Sequence, residues 1–129
     1  MSSATALASY AKVSSATASP HEIVRLSYER VLTACDRATI AYQDRPWNWV
    51  QTFHDEMVRA QAILVELTTG LAVTHPDENV SAMAGQLEAL YRFAIDAMVE
   101  ANVAKSVTPL AGVRRVIDML RDAWVRQAL

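Results

Sequence analysis

Val50, Phe53, Met57, Ala60, Leu64, Leu67 and Leu71 follow one another at alternating steps of three and four residues, the spacing that lines side chains along one stripe of an α-helix. A strand cannot use this pattern, because its side chains change face at every residue and the seven positions would scatter over both. The stripe predicts a helix from about Trp47 to Leu71, and three further segments read the same way. Ser19-Pro20-His21-Glu22 supplies an N-cap oxygen, a first-turn proline and a glutamate placed to close a capping box. From there a helix runs to about Tyr42, with Val24, Tyr28, Val31, Cys35, Ala38 and Tyr42 as its seam and Ile23, Leu26 and Leu32 beside it. It stops at Asp44-Arg45-Pro46, since proline disfavours helix in the residue before it.

After the turn His75-Pro76-Asp77, a third helix is expected from about Glu78 to Ala104. Its seam reads Val80, Met83, Leu87, Leu90, Ala94, Ala97 and Ala101, with Tyr91, Ile95 and Met98 alongside. Thr108-Pro109 opens a fourth, which turns Leu110, Val113, Ile117, Leu120 and Trp124 inward and carries Arg114, Asp118, Asp122 and Arg126 on its solvated side.

A chain of 129 residues is one domain, and 3 glycines with 4 prolines are too few turn-makers for a sandwich, a barrel or a run of βα units. Short links force consecutive helices antiparallel. The expected fold class is therefore all-α, an antiparallel up-down four-helix bundle over residues 20–129 with a flexible N-terminal arm over residues 1–19. The arm is a Ser/Ala/Thr tract with three larger apolar side chains spaced three apart, Leu7, Tyr10 and Val13.

Twelve Lys+Arg against 14 Asp+Glu argue against a nucleic-acid partner, whose recognition needs a basic excess on one face. The N-terminus lacks a secretory signal and no run is long and apolar enough to span a bilayer, so the expected place of action is the cytoplasm, without membrane insertion. Cys35 has no second thiol to pair with. No Glu-x-x-His pair stands on the helices and the three histidines miss the seams, so no metal, cofactor or catalytic residue is expected. A chorismate-mutase-like helical enzyme would need several of the chain's arginines turned into the bundle around a dianion. Arg37, Arg59, Arg92, Arg114, Arg115 and Arg121 all lie off the seams.

What remains is surface. The second rows beside the seams, Ile23/Leu26/Leu32, Ile63 with Val58, and Tyr91/Ile95/Met98, make the apolar arcs wider than a coiled-coil stripe. Such arcs either fill a bundle core or leave a groove that accepts another chain. Trp47 and Trp49, two residues apart, cannot both face inward from one helix. A homodimeric helical adaptor is a further alternative.

Tyr10-Ala11-Lys12-Val13, Ala18-Ser19-Pro20-His21-Glu22-Ile23 leading to Tyr28, Ala60-Gln61-Ala62-Ile63-Leu64 with Glu66-Leu67, Leu87, Leu90-Tyr91, Glu100-Ala101-Asn102, Leu110-Ala111-Gly112-Val113 and Leu120-Arg121-Asp122-Ala123-Trp124 together resemble, in order, the flagellar secretion chaperones specific for flagellin, the FliS family. The resemblance covers nearly the whole chain. It implies a cytoplasmic, non-enzymatic helical bundle that binds the C-terminal segment of flagellin, prevents its premature polymerisation and delivers it to the flagellar secretion apparatus, with the export gate as a further partner. It also implies that Leu7, Tyr10 and Val13 belong to an arm able to compete for the cargo groove. By position, Tyr28, Ile63, Leu67, Leu87, Leu90 and Tyr91 are read as cargo-binding, with plain core as the other reading, and Asn102 as a structural hydrogen-bonding residue.

The chain departs from the family pattern at Leu26-Ser27, at His75-Pro76-Asp77-Glu78 where two glycines are usual, and in the apolar connection holding Pro46, Trp47 and Trp49. The last departure points to a self-association surface near the two tryptophans.

Overall fold

The computed structural model describes residues 20–71 and 74–127, with the backbone alone at Pro20 and Gln127. Four helices follow in order: α1 (Pro20–Asp44), α2 (Trp49–Thr69), α3 (Glu78–Ala104) and α4 (Leu110–Gln127). Around the bundle α1 packs on α2, α2 on α3, α3 on α4 and α4 back on α1, which is the closed square of an up-down bundle. The all-α expectation holds, and the third helix has the bounds expected of it. The arm with Leu7, Tyr10 and Val13, and the capping Ser19, lie outside the described residues.

Local chemistry explains the ends. Arg45 closes α1 in the left-handed region at φ 45, donating its N–H to the Ala41 carbonyl at 2.8 Å. Its guanidinium lies 4.7 Å from the Tyr42 ring centre and 5.5 Å from that of Trp49. This cation–π clamp holds the turn, and Trp49 leans on Tyr42 edge-on. Trp47, by contrast, is 96 % exposed, so helix α2 begins two residues later than its stripe predicts. Asp77 caps α3 by accepting from the Asn79 N–H at 2.9 Å.

The core holds Val24, Tyr28, Val31, Cys35 and Ala38 from α1, Phe53, Met57, Ala60, Leu64 and Leu67 from α2, and Leu110, Val113 and Ile117 from α4. Each large side chain sealed there contributes about 1.5–3 kcal/mol of burial. Alanines 34, 38 and 41 of α1 and Ala60 of α2 are also buried; their lack of bulk lets these two helices form the most extensive interface.

Two expected seams need correction. Val50 of α2 is exposed, and Leu71 falls beyond the helix. In α3 the packed row is Ala84, Leu87, Tyr91, Ala94, Met98 and Ala101. It keeps the three-four rhythm but passes through Tyr91 and Met98 where the expected seam passed through Leu90 and Ala97. Met83 is thereby turned out, and Val80 lies one turn beyond the last buried member. The cause is tertiary: the Tyr28 and Tyr91 hydroxyls meet at 2.6 Å inside the bundle, fixing the rotation of α3 against the diagonally opposite α1.

Candidate functional site

The rotation of α3 leaves its other apolar row without a place in the core. Phe93 identifies where that row faces, because its ring rests on α4: a Cβ added at Gly112 would come within 3.0 Å of the ring. Met83, Gln86, Leu90 and Phe93 share this flank at steps of three, four and three, and Gly112, Val116, Met119 and Ala123 line the facing flank of α4 at steps of four, three and four. None of the eight is charged. Leu90, Gly112, Val116 and Ala123 are half-buried and form the floor, while Met83 at 60 %, Phe93 at 48 % and Met119 at 52 % exposure form the rim. The α3/α4 seam is thus a shallow apolar lane, and two of its rim residues are methionines, whose flexible thioethers adapt to varied partners.

Two of the other three seams are crossed by polar contacts. Arg114 of α4 pairs with Asp36 of α1, and Trp124 Nε1 donates to the His21 carbonyl at 2.9 Å while the two rings stack at 4.6 Å. Arg114 therefore crosses to the neighbouring helix, and Arg121 takes both Asp118 at 3.0 Å and Asp122 at 3.6 Å. On the α1-facing side of α2, Glu56 is buried and accepts from Arg59 at 2.9 Å. Between α2 and α3, Asn102 meets His54 Nδ1 at 3.0 Å, and Lys105 Nζ donates to the Asn102 carbonyl at 2.6 Å and to its Oδ1 at 2.7 Å. The expectation of a structural hydrogen bond at Asn102 is met there. Val50, Val58, Val65, Val99 and Val103 are exposed on α2 and α3, but His54, Gln61, Glu88 and Arg92 interrupt them.

Of the residues read as cargo-binding, Tyr28, Leu67 and Tyr91 are buried in the core. Ile63 and Leu87 pack half-buried against that core. Leu90 alone lies in the lane. Phe93, Gly112, Val116 and Met119 fall outside that set, because a second apolar row beside a seam is equally what a wide core requires.

Cys35 is fully buried, and burial pushes its thiol up to about 11, with Arg114 pulling down and Asp36 pushing up by smaller amounts. Among the described residues no arginine is buried. No described helix is long and apolar enough to cross a membrane.

No curated protein matches the chain. The model of one family does, over residues 3–128, and that family is described as flagellar protein FliS. With nearly the full length matched and four helices packed as a bundle, the chain belongs to the FliS family of flagellar export chaperones.

Proposed function

We propose that this chaperone binds the C-terminal segment of flagellin as an amphipathic helix laid along the α3/α4 lane, keeps it from polymerising prematurely in the cytoplasm, and hands it to the export gate of the flagellar secretion apparatus. The observation that carries this reading is the lane itself, a surface strip between two helices with no charged side chain among its eight lining residues. A cargo helix offers the complement, an apolar stripe with polar flanks. Ordering such a segment costs about 2–5 kcal/mol, and apolar contact returns about 25 cal/mol per Å². A lane a few turns long therefore holds its cargo without making release prohibitive.

In this reading Leu90, Val116 and Met119 touch the cargo, and Tyr28, Leu67, Leu87 and Tyr91 act from beneath by holding α3 in the rotation that exposes the lane. Ile63, on the α1-facing side of α2, supports the core. The arm residues Leu7, Tyr10 and Val13 compete for the same strip when cargo is absent, which lowers apparent affinity and covers apolar surface.

The test is a titration of the full chain with a peptide of flagellin's C-terminal segment, read by far-ultraviolet circular dichroism. Helical signal beyond the sum of the parts is expected. Leu90→Glu and Met119→Glu should abolish it while the chain still unfolds in one cooperative transition, whereas Val58→Glu, on the α2/α3 face, should leave it intact. A flat titration with the unaltered chain, or equal loss from all three variants, overturns the assignment.

A further inference from the structure

Among the side-chain positions facing each other across the lane, one is bare. Gly112 presents only backbone, and the edge of the Phe93 ring occupies the space a Cβ would take, at 3.0 Å from Cζ and 3.4 Å from Cε2. Gly112 sits in the first turn of α4 with no positive φ to require a glycine. The ring above it supplies the steric reason for its smallness. Phe93 is also half in water, so turning about its two side-chain torsions gives up only the buried half of its contact.

We propose that Gly112 forms the floor of an anchor notch and that Phe93 is its resident stopper, a self-ligand that swings aside to admit one aromatic or large aliphatic side chain of the bound segment. The size of the guest is read from the stopper: the notch accepts a ring edge and excludes nothing smaller. The occupant is the apolar stripe of the flagellin segment, and in that respect the inference rests on the function proposed above; the notch itself does not depend on it.

Two measurements on the full chain separate the two ideas. In the first, the flagellin C-terminal peptide is titrated into the unaltered chain, Phe93→Ala, Gly112→Ala and the double variant, each verified by cooperative thermal unfolding. Removing the stopper should tighten binding about three- to tenfold, because the competent state no longer has to be vacated first. Placing a methyl on the notch floor should weaken binding about tenfold, and the double variant should stay weak. In the second, p-cresol is titrated while the amide resonance of residue 112 is followed by nuclear magnetic resonance. The resonance should shift in Phe93→Ala, and hold still in the double variant and in the unaltered chain. If Phe93→Ala weakens peptide binding as much as Gly112→Ala does, the stopper is an ordinary contact and the proposal fails. If cresol leaves residue 112 unmoved in Phe93→Ala, there is no notch. If no peptide binds any variant while the cresol shift appears, the notch stands and the flagellin assignment falls.

Discussion

Cys35 and Tyr28 show what burial does to single groups in this core. The thiol has no accessible surface and titrates at about 11 against an ordinary value of 9.0; the Tyr28 phenol is likewise raised from 10.0 by burial, only partly offset by its bond to Tyr91. In the unfolded chain both ionise earlier than in the folded one. Folding therefore binds protons above pH 9, and stability present below that pH is lost as pH rises toward the folded values. Urea unfolding measured between about pH 9 and 11 should show a decline of up to roughly 3 kcal/mol from the thiol, at about 1.4 kcal/mol per unit of displaced titration. Cys35→Ala should delay the onset to where tyrosine ionises, about one unit higher. A pH profile identical to that of the unaltered chain would mean the thiol is not buried in solution. Glu56 is also buried, beside Arg59; nothing in its local sequence distinguishes it from the exposed acids of α2.

At the level of elements, α3 illustrates how little a heptad rhythm fixes by itself. Two three-four rows run along it one residue apart, sharing Leu87, Ala94 and Ala101. An α-helix drifts about 20° per heptad against a strict 3.5 repeat, so either row serves equally well on periodicity. The bond between the Tyr28 and Tyr91 hydroxyls decides between them. The outer surface of α3 carries a residue with no such role: Gly85 has nothing within 4 Å of where its Cβ would stand and no positive φ. Gly85→Ala should stabilise the protein by about 0.5–1 kcal/mol, through helix propensity and a less flexible unfolded chain. Scanning calorimetry should register this as a rise of about 2–5 °C. A fall would place an unseen contact at that surface.

On the scale of the whole molecule, the four seams of the square are unlike one another. Two, α1/α4 and α2/α3, are crossed by charged and polar pairs, and that between α3 and α4 presents methyls, thioethers, a ring and the Gln86 amide to solvent. Deleting residues 1–19 should leave a single cooperative thermal transition, because the four helices bury a shared core of large apolar side chains among themselves. The same deletion should raise affinity for the flagellin peptide several-fold if the arm competes for the lane; loss of cooperativity would instead make the arm a structural element. The four helices of the described residues, their approximate ends and their up-down order were legible in the chain, since they depend on local periodicity and on proline and capping residues a few positions apart. The exposure of one tryptophan at the α1–α2 turn was legible for the same reason. Which of two parallel rows on α3 turns inward, where Arg114 finds its partner, and that Leu90 lies on the surface while Tyr91 lies inside were decided only when the helices met. Each depends on the rotation of one rod about its axis, a quantity set by neighbours across the bundle and to which spacing along a single helix is blind.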